Sequence, residues 1–233
     1  MKVYWAPLDQ KDINFTLAYY PPSRLPNEIP ANIKNSNFYR CPAFTDTIKN
    51  TFALKSPFEL TAKFNPSLQQ ASSNYEDLFN HKVNMEDTNL GIIQFYFSYI
   101  FFSEKPLKLT QMHPYLHHNT FTENGNGLLG EYDCGQWLRP LMAPYILDPG
   151  KQEYNYDIKR GDIYSYIRFN TEEKVELVNF EPTQRINDII KECLNLKTSS
   201  NKTTFSLNAS YKQFMLYRRK QAIMQEIKAQ GLI

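Results

Sequence analysis

Three of the four histidines of the chain lie in one short segment, MHPYLHHNTFTENGNG, at residues 112–127. Two imidazoles and a carboxylate are the usual ligands of a non-haem iron site, which keeps open positions for substrate and oxygen. The candidate ligands in this segment are His113, His117 and Glu123. Such a set of ligands would make the chain a cupin-like, metal-dependent enzyme.

The spacing of the histidines argues against that site. Alternate residues of a strand face the same way, so a small barrel usually takes two imidazoles from an H-x-H pair. His117 and His118 are adjacent and would point to opposite faces of a strand, and Pro114 disfavours a regular strand or helix between His113 and His117. We therefore expect ordinary polar packing of the imidazoles and no bound cofactor. The metalloenzyme is kept as an alternative.

Other catalytic motifs give no support for an enzyme. The sequence has no G-x-S-x-G nucleophile elbow. The two Asn-Gly pairs of ENGNG are not followed by a helical pattern that would bind phosphate. Cys134 is best interpreted as a small buried hydrophobic residue. We expect a protein without enzymatic activity.

A second candidate site lies in the segment QWLRP at residues 136–140. Trp137 and Arg139 would share one face of a strand, where a guanidinium can stack on an indole. Arg168, in the segment YIRF, would join them if the two strands pair. This set is typical either of a structural clamp or of a binding module for a small anionic or planar ligand.

The composition favours strands in most of the chain. There are 16 Phe, 16 Tyr and 14 Pro residues, and aromatic side chains fit a pleated, half-buried surface. The 13 residues of LGIIQFYFSYIFF are too few to cross a membrane and predict a buried central strand, so we expect no membrane contact. IYSYIRF and KVELVNF alternate in hydrophobicity on either side of NTEEK and predict a hairpin.

The last part of the chain has a helical pattern instead. PTQRINDIIKECLNL and LNASYKQFMLYRRKQAIMQEIKAQG place apolar residues at helical spacing and predict two C-terminal helices. The sequence therefore predicts a mainly β fold, with a β-sandwich or jelly-roll domain at residues 1–181 and a helical extension at 182–233. Five prolines between residues 21 and 42 predict an irregular Pro-rich arm without regular helix.

The arm and the second helix both look over-long for a self-contained domain, which favours contact with a protein partner or self-association. Aromatic and arginine side chains are enriched in interface cores. The residues predicted to contact a partner are Tyr211, Phe214, Tyr217, Arg218 and Arg219. A net charge of +2 provides no field for holding nucleic acid. The three cysteines are sparse and far apart in sequence, which indicates a reducing compartment.

Three segments resemble an uncharacterised family of tailed-bacteriophage proteins. They are CPAFTDTIKNTFALKSPFEL, QWLRPLMAPYIL and GDIYSYIRFNTEEKVELVNF, and the resemblance covers roughly residues 40–195. Their motifs carry no catalytic residues that could be transferred. The resemblance implies a phage product made in the host bacterial cytoplasm, which acts by protein–protein contact as a virion or assembly component.

Overall fold

The structure is a computed structural model, and it describes residues 1–8, 19–65, 70–73, 79–83, 91–200, 207–215 and 218–232. Its described strands form three sheets, and several helices accompany them. The predicted mainly β class is confirmed.

The described strands, in chain order, are β1 Lys2–Pro7, β2 Ser23–Arg24, β3 Thr51–Lys55, β4 Leu60–Asn65, β5 Gln70–Ser73, β6 Phe79–Val83, β7 Gly91–Phe102, β8 Lys108–Met112, β9 Gly125–Gly127, β10 Gly130–Asp133, β11 Leu141–Leu147, β12 Tyr154–Ile158, β13 Ile163–Phe169 and β14 Glu176–Asn179. The first sheet has the order β14-β1-β7-β11-β9, with β6 also paired to β7. The second sheet has the order β10-β8-β13-β3-β2, and the third has the order β12-β4-β5.

The described α-helices are α1 Leu25–Glu28, α2 Ala31–Lys34, α3 Pro42–Ile48, α4 Thr120–Asn124, α5 Gln184–Ser200, α6 Leu207–Met215 and α7 Arg218–Ala229. A 3₁₀ turn covers Asn37–Arg40. Within the part of the chain covered by these elements, no helix is both long and apolar enough to cross a membrane.

The long strand β7 is the centre of the fold, as LGIIQFYFSYIFF predicts. Successive side chains of a strand point to opposite faces. The odd-numbered residues from Ile93 to Phe101 belong to the main hydrophobic core, while Ile100 and Phe102 belong to a second apolar cluster beneath the C-terminal helices. The end of β7 is therefore apolar on both faces, because the main core covers one face and the C-terminal helices cover the other.

The main core draws side chains from all three sheets. Trp5 comes from the first sheet, Leu54 from the second and Phe64 from the third. On β3 and β13, the side chains that point away from this core, Ala53 and Tyr166, join a third cluster on the outer face of the second sheet. Apolar side chains therefore lie on both faces of the second sheet as well.

The predicted hairpin between IYSYIRF and KVELVNF is wrong. β13 pairs with β3 and β8 in the second sheet, whereas β14 pairs in parallel with β1 in the first sheet. The connection between them passes from one sheet to the other. Asn50 holds this connection, because its side-chain amide donates to the carbonyl oxygens of Thr171 and Glu173, both at 2.8 Å.

The Pro-rich segment contains α1 and α2, and α3 begins at its last residue, so the prediction that it lacks regular helix is wrong. Proline is tolerated in the first turn of a helix, where the missing N–H has no intrahelical acceptor. Both α1 and α3 have proline at such a position. Leu25 and Ile29 of this segment, together with Phe44 and Ile48 of α3, are buried in the cluster on the outer face of the second sheet.

The C-terminal helices pack on the first sheet. Tyr4 of β1 and Phe102 of β7 share an apolar cluster with Ile190 of α5, Tyr211 of α6 and Ile223 of α7. Where the sequence predicts one second helix, α6 and α7 are separate elements, and residues 216–217 lie outside the described residues. The domain boundary between residues 181 and 182 stays a prediction.

Candidate functional site

The histidine segment follows β8, and two of its imidazoles have partners of their own. His113 Nδ1 accepts a hydrogen bond from the Gly127 N–H at 2.8 Å, and its ring packs edge-on to Tyr145. His118 is exposed, and its Nε2 lies 3.3 Å from Glu123 Oε1. These contacts hold the segment against β9 and α4.

His117 uses both of its ring nitrogens. Nε2 lies 2.9 Å from the carbonyl oxygen of Glu28, and Nδ1 lies 2.5 Å from the Tyr166 hydroxyl. A carbonyl oxygen can only accept, so we assign the proton to Nε2 and an accepting role to Nδ1. Neutral His117 therefore joins the end of α1 to β13.

The structure does not bring together the predicted metal ligands His113, His117 and Glu123. Glu123 pairs with His118 instead, and His117 is occupied by Glu28 and Tyr166. Among the side chains that the structure describes, no three His, Cys, Asp or Glu residues come close enough to hold a metal ion. The space between the sheets is filled by Phe121 and neighbouring aromatic rings.

The two half-buried histidines predict a specific pH dependence of stability. Burial lowers the pKa of both His113 and His117 below the usual value. As the pH falls through ~6.5, these histidines therefore take up protons in the unfolded chain before they do so in the folded protein. The free energy of unfolding is highest above that pH, and it decreases with falling pH until the folded protein is protonated as well. We expect a lower free energy of unfolding at pH 5.5 than at pH 7.5, measured by urea denaturation.

Variants identify the groups responsible. The double variant H113Q/H117Q should lose part of the decrease in stability, whereas H118Q, which changes an exposed imidazole, should keep it. An unchanged pH profile in the double variant would show that other groups cause the decrease.

The cysteines show no catalytic arrangement in the described residues. Cys134 is fully buried, its thiol donates to the Leu107 carbonyl oxygen, and burial raises the pKa of that thiol. A thiol held in its neutral form is a poor nucleophile. The interpretation of Cys134 as a buried hydrophobic residue agrees with these contacts.

Trp137 and Arg139 lie in the irregular connection between β10 and β11 rather than on a strand. They meet through Tyr211 of α6. Arg139 Nη1 donates to the Tyr211 hydroxyl at 2.9 Å, and the indole of Trp137 has its ring centroid 4.6 Å from that of Tyr211. Trp137 also stacks on Tyr132 of β10. Both predicted residues therefore fasten α6 to the β structure.

Arg168 does not join this cluster. In the second sheet its register partner on β8 is Thr110, which pairs in turn with Glu131 of β10. Tyr132 is the next residue along β10, so its side chain points to the opposite face of the sheet. Because Trp137 stacks on Tyr132, the predicted set of Trp137, Arg139 and Arg168 is divided between two faces.

The predicted partner-contact residues mostly contact this chain itself. Tyr211 and Phe214 are buried in the cluster beneath the C-terminal helices, where they pack against this chain's own first sheet and helices. That they contact a partner stays a prediction. The Arg219 guanidinium lies over the Phe214 ring and pairs with Glu192 of α5 at 3.0 Å. Arg218 is exposed, and Tyr217 lies outside the described residues.

Two exposed aromatic side chains adjoin α3, and the sequence patterns did not identify them. Phe38 is 59% exposed and packs on Phe44 with ring centroids 4.5 Å apart. Tyr115 is 52% exposed, packs edge-on to Tyr166, and its hydroxyl interacts with the Thr47 side chain.

Phe44 and Thr47 are three residues apart, so they lie on the same side of α3. We call the surface formed by Phe38, Thr47 and Tyr115, with the buried Phe44 ring beneath Phe38, the α3 face. The sequence contained one signal for this surface: Phe38 lies in a Pro-rich segment and Tyr115 in a loop. Such segments rarely contain large apolar side chains unless those side chains pack on the protein or bind a partner.

No protein family model matches the chain, and no curated protein or solved structure matches it either. The comparisons therefore assign neither a family nor a function.

Proposed function

We propose that the chain is a non-enzymatic bacteriophage protein that binds another protein through the α3 face. It acts as a virion or assembly component and is made in the host bacterial cytoplasm. The resemblance of three segments to tailed-phage proteins supports the origin. The exposed aromatic pair on the α3 face supports the mode of action.

The observation that carries this proposal is the exposure of Phe38 and Tyr115 on one side of a single short helix. Isolated exposed apolar residues are common and need no explanation. Two large aromatic rings on one surface are less common, and aromatic residues supply much of the binding energy of protein interfaces. A protein partner is the occupant that such a surface fits.

The α3 face is held in place by buried side chains and hydrogen bonds beneath it. Phe44 and Ile48 of α3 are buried against the second sheet, and His117 joins the neighbouring segments. A surface that is already ordered loses little conformational entropy on binding. The α3 face therefore has the rigidity that a binding surface benefits from.

For the fold, the proposal is a β-sandwich of jelly-roll type in which the first and second sheets pack face to face. The main core supports it, because alternate side chains of β1, β7 and β13 meet there. In this arrangement the two C-terminal helical regions cover the outside of the first sheet, and the α3 face lies outside the second sheet.

A photo-crosslinking experiment tests the function. A benzoylphenylalanine at position 38 is expected to give a discrete crosslinked product in bacteria infected by the parent phage. Mass spectrometry of the product distinguishes a second copy of the chain from another protein. Adding Y115S should reduce the yield by ~10-fold or more if Tyr115 is a hot spot of the interface, because truncating a hot-spot residue costs about 2 kcal/mol or more.

The matched control carries the same probe at Lys63, an exposed position on β4 of the third sheet. Lys63 should give no discrete product. Equal products from both positions, or none from position 38, would contradict binding through the α3 face.

A further inference from the structure

A surface cavity of about 260 Å³ lies where the connection between β13 and β14 passes the end of α3. Three basic side chains line it, those of Arg24, Lys49 and Lys174, together with one carboxylate, that of Glu172. The lining therefore has three positive charges and one negative charge, a net charge of +2. The whole chain has the same net charge, from 26 basic and 24 acidic residues, so positive charge is concentrated at this cavity.

Arg24 of β2 reaches the cavity with part of its guanidinium free. Its Nη2 donates to the Val175 carbonyl oxygen at 2.6 Å, and the group lies over the Phe52 ring. Its Nε and Nη1 have no acceptor among the described residues, and both atoms are accessible to solvent. Nor does the described part of the chain place a carboxylate within ion-pair distance of Arg24. A cation partly removed from water is stabilised by a counter-ion, which an anion in the cavity would supply.

The two lysines of the lining differ in whether they have a partner. Lys49 Nζ is paired with Glu172 Oε2 at 2.7 Å. Lys174 is exposed, and no carboxylate of the described residues lies within ion-pair distance of its ammonium group. The carboxylate of the lining therefore neutralises Lys49, while the charges of Arg24 and Lys174 stay available to a ligand.

Asn50 fixes one wall of the cavity before any ligand binds. Its side-chain amide makes three hydrogen bonds to backbone groups between residues 171 and 175. The segment that contains Glu172 and Lys174 is therefore held along its length. Binding has to order only the ends of side chains, and a site that is already formed loses less conformational entropy.

We propose that this cavity binds a small free oxyanion of the phosphate or carboxylate class. The free N–H groups of Arg24 donate charge-assisted hydrogen bonds to it, and Lys174 provides a second positive charge. The cavity has the volume of several water molecules, each of which takes up ~30 Å³ in the liquid, so phosphate or acetate fits. None of the side chains that form the α3 face lines this cavity, so either proposal can fail without the other.

Thermal unfolding in the presence of each anion tests the proposal. The wild-type protein is titrated with inorganic phosphate, and in a parallel series with acetate, at constant pH and ionic strength. The Tm should rise saturably, by about 3–6 °C at ten times the dissociation constant. A rise with phosphate alone identifies phosphate as the ligand class, and a rise with acetate alone identifies carboxylate. No saturable rise with either anion would overturn the proposal.

Two exposed charges of the lining give variants with opposite expected effects. K174Q removes a positive charge and should weaken binding of the stabilising anion by ~2–5-fold. E172Q removes the negative charge, releases Lys49 and should strengthen binding by a similar ~2–5-fold. The midpoint of each Tm titration gives the fold-change. Both side chains are exposed, so neither variant removes a buried contact.

The matched control is K63Q, which makes the same change in net charge at an exposed lysine on β4 of the third sheet and should leave binding unchanged. R24Q should weaken binding by ~10-fold or more, because it removes hydrogen bonds to a charged group. If R24Q does not fold, K174Q and E172Q decide the question. Equal weakening by K174Q and K63Q, or the same direction of change in K174Q and E172Q, would contradict the site.

Discussion

Replacing Asn50 with alanine is expected to destabilise the protein by about 4 kcal/mol, which is among the largest effects of a single polar substitution. Asn50 is buried, and its amide group makes three hydrogen bonds to the connection between β13 and β14. Its φ of 53° is left-handed, which asparagine tolerates and alanine does not. N50A therefore removes the partners of three backbone groups, of which the Val175 N–H is buried and the other two are partly buried, and it adds backbone strain. Urea denaturation measures the loss.

Asn50→Gly separates the two causes. Glycine adopts a positive φ without strain, so N50G should lose less stability than N50A, although both lose the same hydrogen bonds. Asn126→Ala is the matched control, because Asn126 is an exposed asparagine on β9 and its loss should change stability by less than about 0.5 kcal/mol. Losses below about 1 kcal/mol for both Asn50 variants would show that Asn50 does not hold the connection between the sheets.

Asn50 also explains why the alternating pattern of two neighbouring segments led to the wrong prediction of a hairpin. IYSYIRF and KVELVNF are good strands with a short connection, and sequential strands usually pair with each other. Here Asn50 binds the connection from 121–125 residues away and directs it to the other sheet. A pattern within one segment contains no information about a partner so distant in sequence.

Local alternation predicted individual strands well, because a strand with one covered face must alternate. β4 shows this pattern over its whole length, with Leu60, Ala62 and Phe64 buried and the residues between them less buried. β7 was also predicted, although both of its faces are apolar in its second half. The pairing of the strands could not be predicted in the same way, because it depends on side chains from distant parts of the chain.

The candidate site was predictable to a lesser extent. Trp137 and Arg139 were identified from their chemistry, but their shared partner Tyr211 lies in a different element. The aromatic side of α6 has the same appearance in the sequence whether it covers a partner or its own sheet. That ambiguity is why Tyr211 and Phe214 were predicted to contact a partner, whereas Phe38 and Tyr115 were not.

Phe121 to alanine is the second substitution with a large expected effect. Phe121 of α4 is fully buried, and its ring packs among aromatic side chains of the main core. The rings that contact it belong to Phe95, Phe97, Tyr145, Tyr156 and Tyr164. Removing a buried phenylalanine loses its transfer free energy and leaves a cavity, so F121A should cost about 3–5 kcal/mol. Urea denaturation of the purified variant measures this loss.

Two further variants show whether burial is the cause. F121L keeps most of the volume and should cost less than F121A, while Tyr115→Ala removes an aromatic ring that is 52% exposed and should cost much less than F121A.

The stability of F121A also bears on the metalloenzyme alternative, because a cupin-like site needs open space between the sheets where Phe121 and its neighbours lie. A cost below about 1 kcal/mol for F121A would mean that the side chains in this space are not tightly packed. The space could then hold a metal site, and the metalloenzyme alternative would be supported.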